Sequence, residues 1–284
     1  MTFLLNLLQS LLYGFVMGLT SWLPISSAAH MTLLKSFLPL RVFEDYLSNM
    51  AFWSLFRSVI QLGGLAAVLL LYWNRLNPYQ KGLREQRKRK ITRLWLMILI
   101  SCVPAGLVGI LLDDIIMTTL SKGYALAAGL ILFGAFMVFA ELKETPVRAE
   151  TVNQIRPADS AKISLFRFLS LIPGIGHSAS TIIGGKLIGF SRETAAEYSF
   201  FLAVPTIAGA FIMRVIKYIL ANAMFSFSAF GILLGGLAVC FVTSLFVMRY
   251  LLRYIRRNDL KVFGIYRIAL GILVLVFTLF KVIS

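Results

Sequence analysis

Apolar residues run through this chain in long unbroken stretches, at about 3–20, 50–73, 94–112, 123–140, 197–221, 226–248 and 263–280. Each is close to the roughly 17–25 residues that cross ~30 Å of hydrocarbon as a helix. None alternates with the period of two that marks a half-buried strand, so the runs predict helices. Two further segments, 21–38 and 165–190, are apolar but interrupted. Pro24, Ser26, Ser27 and His30 break the first; Pro173, Gly174, Gly176, His177, Gly184 and Gly185 break the second. Polar, kinked backbone at membrane depth survives only where it is buried in protein or lines a cavity. Both segments therefore read as re-entrant helix pairs. The pattern predicts a single all-α, polytopic integral membrane domain over 1–284, with about seven transmembrane helices and two re-entrant pairs.

Composition agrees with lipid as the solvent. Hydrophobic residues fill 59% of the 284 positions and charged residues 14%, and the mean hydropathy is +0.84. A soluble exterior cannot be built from so little polar surface. The net charge of +16 does not point to nucleic acid, because the basic residues sit in short loops between apolar runs, where they meet anionic membrane lipids. Residues 74–93 carry Arg75, Lys81, Arg84, Arg87, Lys88, Arg89, Lys90 and Arg93 against Glu85 alone. Residues 249–261 carry Arg249, Arg253, Arg256, Arg257 and Lys261 against Asp259. Both loops are expected on the cytoplasmic side, which puts 39–49 and 113–122 (with Asp113, Asp114 and Lys122) outside and 141–164 inside.

On that count the first broken segment enters from outside and the second from inside. Both start with an apolar residue and proline, followed by Ser and His, about 150 residues apart. This is the pattern of an inverted repeat whose broken helices meet near the midplane, with halves at 1–140 and 160–284 and a cytoplasmic linker at 141–160. Cys102 and Cys240 lie inside apolar runs without metal-ligand spacing and read as small buried hydrophobes. The first run lacks a basic n-region and a cleavage site, so it reads as a retained helix. Trp22, Trp53, Trp73 and Trp95 fall near segment ends, as interfacial anchors do, and the Phe-rich run 225–246 reads as lipid-facing.

Two constellations could carry chemistry. In Gly18-Leu19-Thr20-Ser21-Trp22-Leu23-Pro24-Ile25-Ser26-Ser27-Ala28-Ala29-His30, the Ser27 hydroxyl and the His30 imidazole are three residues apart and share a helix face. They could act as nucleophile and base; equally, Ser can bond a helix carbonyl and His a neighbouring backbone group. The second is Pro173-Gly174-Ile175-Gly176-His177-Ser178-Ala179-Ser180-Thr181-Ile182-Ile183-Gly184-Gly185-Lys186. Its glycines and hydroxyls at a helix start suit a phosphate, with Lys186 adding charge, or they allow close helix packing.

Taken in order, these pieces resemble one family. The Gly18 to His30 string, Val59-Ile60-Gln61-Leu62-Gly63, Pro104-Ala105, Pro173-Gly174, Thr181-Ile182 with Gly184-Gly185, Ala196-Glu197-Tyr198-Ser199-Phe200-Phe201-Leu202-Ala203-Val204-Pro205 and Ile265-Tyr266-Arg267 look like the undecaprenyl-diphosphate phosphatases of the bacitracin-resistance type. The resemblance covers about residues 10–280. It implies a bacterial inner-membrane protein, its site facing the outer side, that removes one phosphate from undecaprenyl diphosphate to recycle the lipid carrier of peptidoglycan synthesis. It implies Ser27 as nucleophile with His30 beside it, and Ser26, Gly174, Gly176, His177, Ser178 and Thr181 as substrate-binding positions. A polyprenyl phosphate or diphosphate is the implied partner, and a homodimer is left open.

The departures from the family pattern fall on the site. Two glutamates spaced four apart, which the family uses for a divalent cation (Mg²⁺ or Ca²⁺), are Met17 and Ser21 here. The family's phosphate-gripping Ser-Arg pair is Gly176-His177. A thioether does not hold a hard cation, and a His lacks the bidentate fork of Arg. No metal ligand is therefore expected, and hydrolysis is expected to be weak or altered. The alternatives are a transporter that moves the lipid between leaflets without cleaving it, or a protein that sequesters it. The other lipid phosphatase class is excluded, because its Lys-x6-Arg-Pro and His-x3-Asp elements are absent.

Overall fold

A computed structural model describes residues 2–112, 115 and 123–283. The expected loop acids Asp113 and Asp114, with Lys122, lie outside the described residues. The helices are α1 (Thr2–Thr20), α2 (Ser27–Phe37), α3 (Tyr46–Leu76), α4 (Glu85–Leu111), α5 (Gly123–Leu142), α6 (Pro157–Leu169), α7 (His177–Leu187), α8 (Arg192–Leu220), α9 (Phe227–Ile255) and α10 (Lys261–Leu279), with a 3₁₀ turn at Val152–Gln154. Seven of them, α1, α3, α4, α5, α8, α9 and α10, are long and apolar enough to cross a membrane. The chain is a polytopic α-helical membrane protein.

The long helices pack through small residues, which let backbones approach closely without lipid between them. Gly14 and Gly18 of α1 meet Gly236 and Cys240 of α9 in step, so the two helices run parallel. Gly134 of α5 meets Gly264 of α10, and Gly123 meets Thr278, so that pair is antiparallel. The basic loops after α3 and α9 lie at one end of the bundle, called the basic end below. Ion pairs tie this end together: Arg75 Nη1 reaches Glu197 Oε1 at 2.6 Å, Arg192 Nη2 reaches the buried Glu141 Oε2 at 2.5 Å, and Arg256 pairs with Glu193.

The broken segments form helical hairpins with their neighbours. In the first, α1 runs inward and α2 returns beside it: Tyr13 Oη donates to Leu38 O at 2.7 Å and Asn6 Nδ2 to Arg41 O at 2.8 Å. In the second, α6 runs inward from the basic end and α7 returns to it. The second hairpin is longer than the sequence pattern indicates, because α6 begins at Pro157 on an amphipathic rather than an apolar stretch. The two tips, at 21–26 and 170–176, meet inside the bundle.

Burial corrects two readings. Trp22 is 2% exposed and packs edge-on against Phe200, with ring centroids 5.5 Å apart, so it belongs to the core and not to a membrane interface. It sits at the hairpin tip, and a tip inside the bundle cannot reach the interface. Lys186 is the last turn of α7, nine residues beyond His177, and its ammonium donates to Ala140 O and Lys143 O at the basic end. It adds no charge to the tip, from which ~1.5 Å per residue separates it.

Candidate functional site at the hairpin junction

Each tip ends in a residue with positive φ that starts an 11-residue helix. Ser26 (φ 71, ψ 91) precedes α2, and Gly176 (φ 73, ψ 147) precedes α7. Glycine takes this conformation freely, whereas serine is strained in it. A Cβ on Gly176 would lie 3.7 Å from Ser26 Cα, so the two caps are neighbours. Neither helix start receives a side-chain cap. Two sets of orphan N–H groups, each at the positive end of a helix dipole, therefore open at one junction.

The residues around the junction lock the tips. Ser178 Oγ donates to Ser21 O at 2.6 Å, joining the second tip to the first. Arg267 of α10 is 0% exposed. Its Nη1 donates to Pro24 O at 3.3 Å and its Nη2 to Gly174 O at 2.5 Å, while its guanidinium carbon stands 5.2 Å from the centroid of the Phe133 ring. Gly174 itself has φ 91 and presses on α5 at Leu126 and Gly129, an approach that a side chain would block. Arg267 stands in the family-like string Ile265-Tyr266-Arg267, which by itself assigns it no role. The available signal was an arginine in an otherwise apolar run, which at membrane depth marks function.

His30 lies on the first turn of α2. Its Nδ1 is 2.8 Å from Ser26 O, and a carbonyl only accepts, so Nδ1 carries the proton. Its Nε2 then accepts from Tyr266 Oη at 2.7 Å, and the two rings lie nearly parallel, with a 2° interplanar angle and centroids 5.8 Å apart. Both imidazole nitrogens are thus engaged, and no hydrogen bond joins His30 to the half-buried Ser27. His177, the first residue of α7, is also half-buried; its carbonyl accepts from Ser180 Oγ at 3.1 Å and from Thr181 Oγ1. A second buried guanidinium, Arg167 of α6, donates to Thr206 Oγ1 at 2.6 Å. Sequence reasoning did not pick it out.

Among the described residues, four polar atoms at the junction are buried without a hydrogen-bond partner: Ser21 Oγ, Trp22 Nε1, Ser26 Oγ and Arg267 Nε. All four can donate, and each is costly to leave unpaired. A divalent cation does not fit the same residues. Met17 is buried in an apolar cluster with Tyr13, Met31, Phe56 and Cys240, and Ser21 offers one hydroxyl. Among the described residues no group of three or more His, Cys, Asp and Glu side chains converges. Glu197 is taken up by Arg75 at the basic end. A site made of N–H and O–H donors and a guanidinium, without carboxylates, is built for an anion.

The fold is thus that of a multi-pass membrane protein in which two helical hairpins meet at a junction rich in hydrogen-bond donors. Residues 10–273 match the model of the bacitracin resistance protein BacA family, and the chain belongs to that family. It is 39% identical over 272 residues to undecaprenyl-diphosphatase 1 of Oenococcus oeni (strain ATCC BAA-331 / PSU-1), covering 95% of this chain and 96% of the relative. It is 40% identical over 278 residues to an undecaprenyl-diphosphatase of Enterococcus faecalis, covering 96% and 98% respectively. With that of Streptococcus mutans serotype c (strain ATCC 700610 / UA159) it shares 38% over 281 residues, covering 98% of both chains.

Proposed function

We propose that this chain binds a polyprenyl diphosphate or phosphate at the hairpin junction, in the bacterial inner membrane with the site open to the outer side, and hydrolyses the diphosphate slowly if at all. The observation that carries the reading is the convergence of two uncapped helix starts on Ser26 and Gly176, with the buried Arg267 guanidinium beside them. Opposed helix N-termini with a cation attract phosphate oxygens. The surrounding apolar helices suit a prenyl chain. The relatives' names, undecaprenyl-diphosphatase, support the lipid class.

Two features support weak turnover. Phosphoryl transfer relies on positive charge placed around the transferring group, and the positions matching the family's cation ligands are Met17 and Ser21. The second feature is His30, whose nitrogens are held by Ser26 O and Tyr266 Oη, so it does not deprotonate Ser27 in this arrangement. Ser27 remains the nucleophile of what turnover there is, while Ser26, Gly174, Gly176, His177, Ser178 and Thr181 hold and orient phosphate. The opposed hairpins also favour a second reading, transport of the phosphorylated carrier between leaflets without cleavage.

Phosphate release from farnesyl diphosphate by the purified protein tests the reading, run with Mg²⁺, with Ca²⁺ and with chelator beside Ser27→Ala and His30→Ala. Slow, Ser27-dependent release that is insensitive to chelator is expected. Fast, cation-stimulated release would overturn it. Binding of the diphosphate with no release above Ser27→Ala would favour transport.

A further inference from the structure

A recess of about 170 Å³ opens at the basic end between the last turn of α3, the first turns of α4 and the 3₁₀ turn of the linker. Asn74, Arg75, Arg87, Lys90 and Asn153 supply its polar wall, and Val152 lies beneath. Among the described residues no carboxylate lines it. Arg87 and Lys90 are three apart on α4, so they project from one face. Arg87 Nη2 is tethered to Asn74 O at 3.2 Å, and Arg75 is held by Glu197 at 2.6 Å. Neither Lys90 nor the Asn153 side chain has a partner of its own among the described residues. The local acid Glu85 pairs with Lys88 at 3.9 Å and does not neutralise the recess. The linker is anchored there by Arg93 Nη2, which donates to Ile155 O at 3.4 Å, and by Val152, which is 3% exposed.

The surroundings fix the depth of the recess. Trp73 and Tyr79 are exposed, and Trp95 Nε1 donates to Leu76 O at 2.7 Å, all at the same helix ends. Such aromatic residues sit at headgroup level. The second basic loop differs, because Arg256 is paired with Glu193 and Lys261 with Asp259.

The geometry points to a second anion site in this recess, separate from the hairpin junction, that takes a single phosphate group carried by an anionic phospholipid headgroup or free in solution. Guanidinium, ammonium and carboxamide donors around one small volume match phosphate oxygens. The volume accepts one phosphate with its first ester carbons. Occupancy would clamp the linker onto α3 and α4, fixing the base of the hairpin that begins at Pro157.

Calorimetric titration of the detergent-solubilised full-length protein tests the assignment. The ligands are dihexanoyl phosphatidylglycerol, dihexanoyl phosphatidylcholine and inorganic phosphate. Phosphatidylglycerol is expected to bind, the Arg87→Gln/Lys90→Gln variant to bind it about thirty-fold more weakly, and Arg253→Gln/Arg257→Gln to bind it as the unaltered protein does. Competition by inorganic phosphate would support the site with free phosphate as a source; its failure to compete, with phosphatidylglycerol bound, would support the headgroup as the source. Equal affinity for phosphatidylcholine, equal losses in both double variants, or no binding by the unaltered protein would overturn the assignment.

Discussion

A guanidinium inside a membrane bundle is stable only where its donors are used, and Arg267 spends two of them on carbonyls from different hairpins, Pro24 O and Gly174 O. Replacing it with Met leaves both acceptors short of a donor, each worth about 1–3 kcal/mol. Thermal unfolding of Arg267→Met should begin well below that of the unaltered protein, and Arg267→Lys should recover only part of the difference because one ammonium does not reproduce the fork. Tyr266 offers the complementary test. Tyr266→Phe removes the donor to His30 Nε2 and frees a base beside Ser27. Serine-dependent phosphate release is expected to rise, within the roughly 10²–10⁴-fold that a positioned base contributes. Unchanged release would show that His30 engagement does not limit the reaction. At positions 17 and 21, the Met17→Glu/Ser21→Glu variant places two carboxylates four residues apart, one on the last turn of α1 and one just past its end, where Ser21 N–H still bonds Met17 O. Magnesium-stimulated, chelator-sensitive release is expected of it and not of the parent.

At the scale of elements, the caps of α2 and α7 do the same job with different residues. Gly176→Ala forces a side chain into φ 73, ψ 147 and should destabilise the fold by about 1–3 kcal/mol. Ser26→Gly relaxes φ 71 and should raise the unfolding temperature while weakening diphosphate binding, since the buried Oγ is lost. Opposite signs for stability and binding would mark Ser26 as strained for function; a parallel loss would mark it as structural. These elements also show what was readable in the chain. The apolar runs and the broken segments were legible because hydrocarbon imposes length and interruption on the sequence itself. The α6 arm was not, because its residues are amphipathic and its apolar face is completed by α4 and α7. The depth of Trp22 and the choice between the two readings open for Lys186 are not encoded locally, because how deep a residue sits depends on where the chain turns back. The Tyr266–His30 bond joins residues 236 positions apart, and no local pattern encodes it.

At the scale of the whole molecule, the basic end is a frame of buried and half-buried charge that carries the second hairpin. Glu141 Oε2 accepts from Arg192 at 2.5 Å and stands 3.8 Å from Lys186 Nζ, and the Glu141 side chain is 0% exposed. Glu141→Gln leaves two cations short of their counter-charge, and breaking a buried pair costs about 3–5 kcal/mol. Unfolding monitored by helix content should shift accordingly, and Arg192→Gln should destabilise as well, because it leaves the fully buried Glu141 carboxylate with Lys186 Nζ at 3.8 Å alone. The frame also sets which surfaces move together, since α5, α7 and α8 share it.

The dual grip of Arg267 has a consequence for how the protein is made. Its partners, Pro24 and Gly174, leave the ribosome long before α10 does, so the two tips are in the membrane without the group that fastens them. Until α10 inserts, the hairpins are held by lesser contacts such as Ser178 to Ser21. A nascent chain stalled before α10 should therefore carry a junction accessible to a small thiol reagent placed at a cysteine introduced there, and one released after α10 should not. Biogenesis of the site would then be a single late event rather than the sum of two early ones.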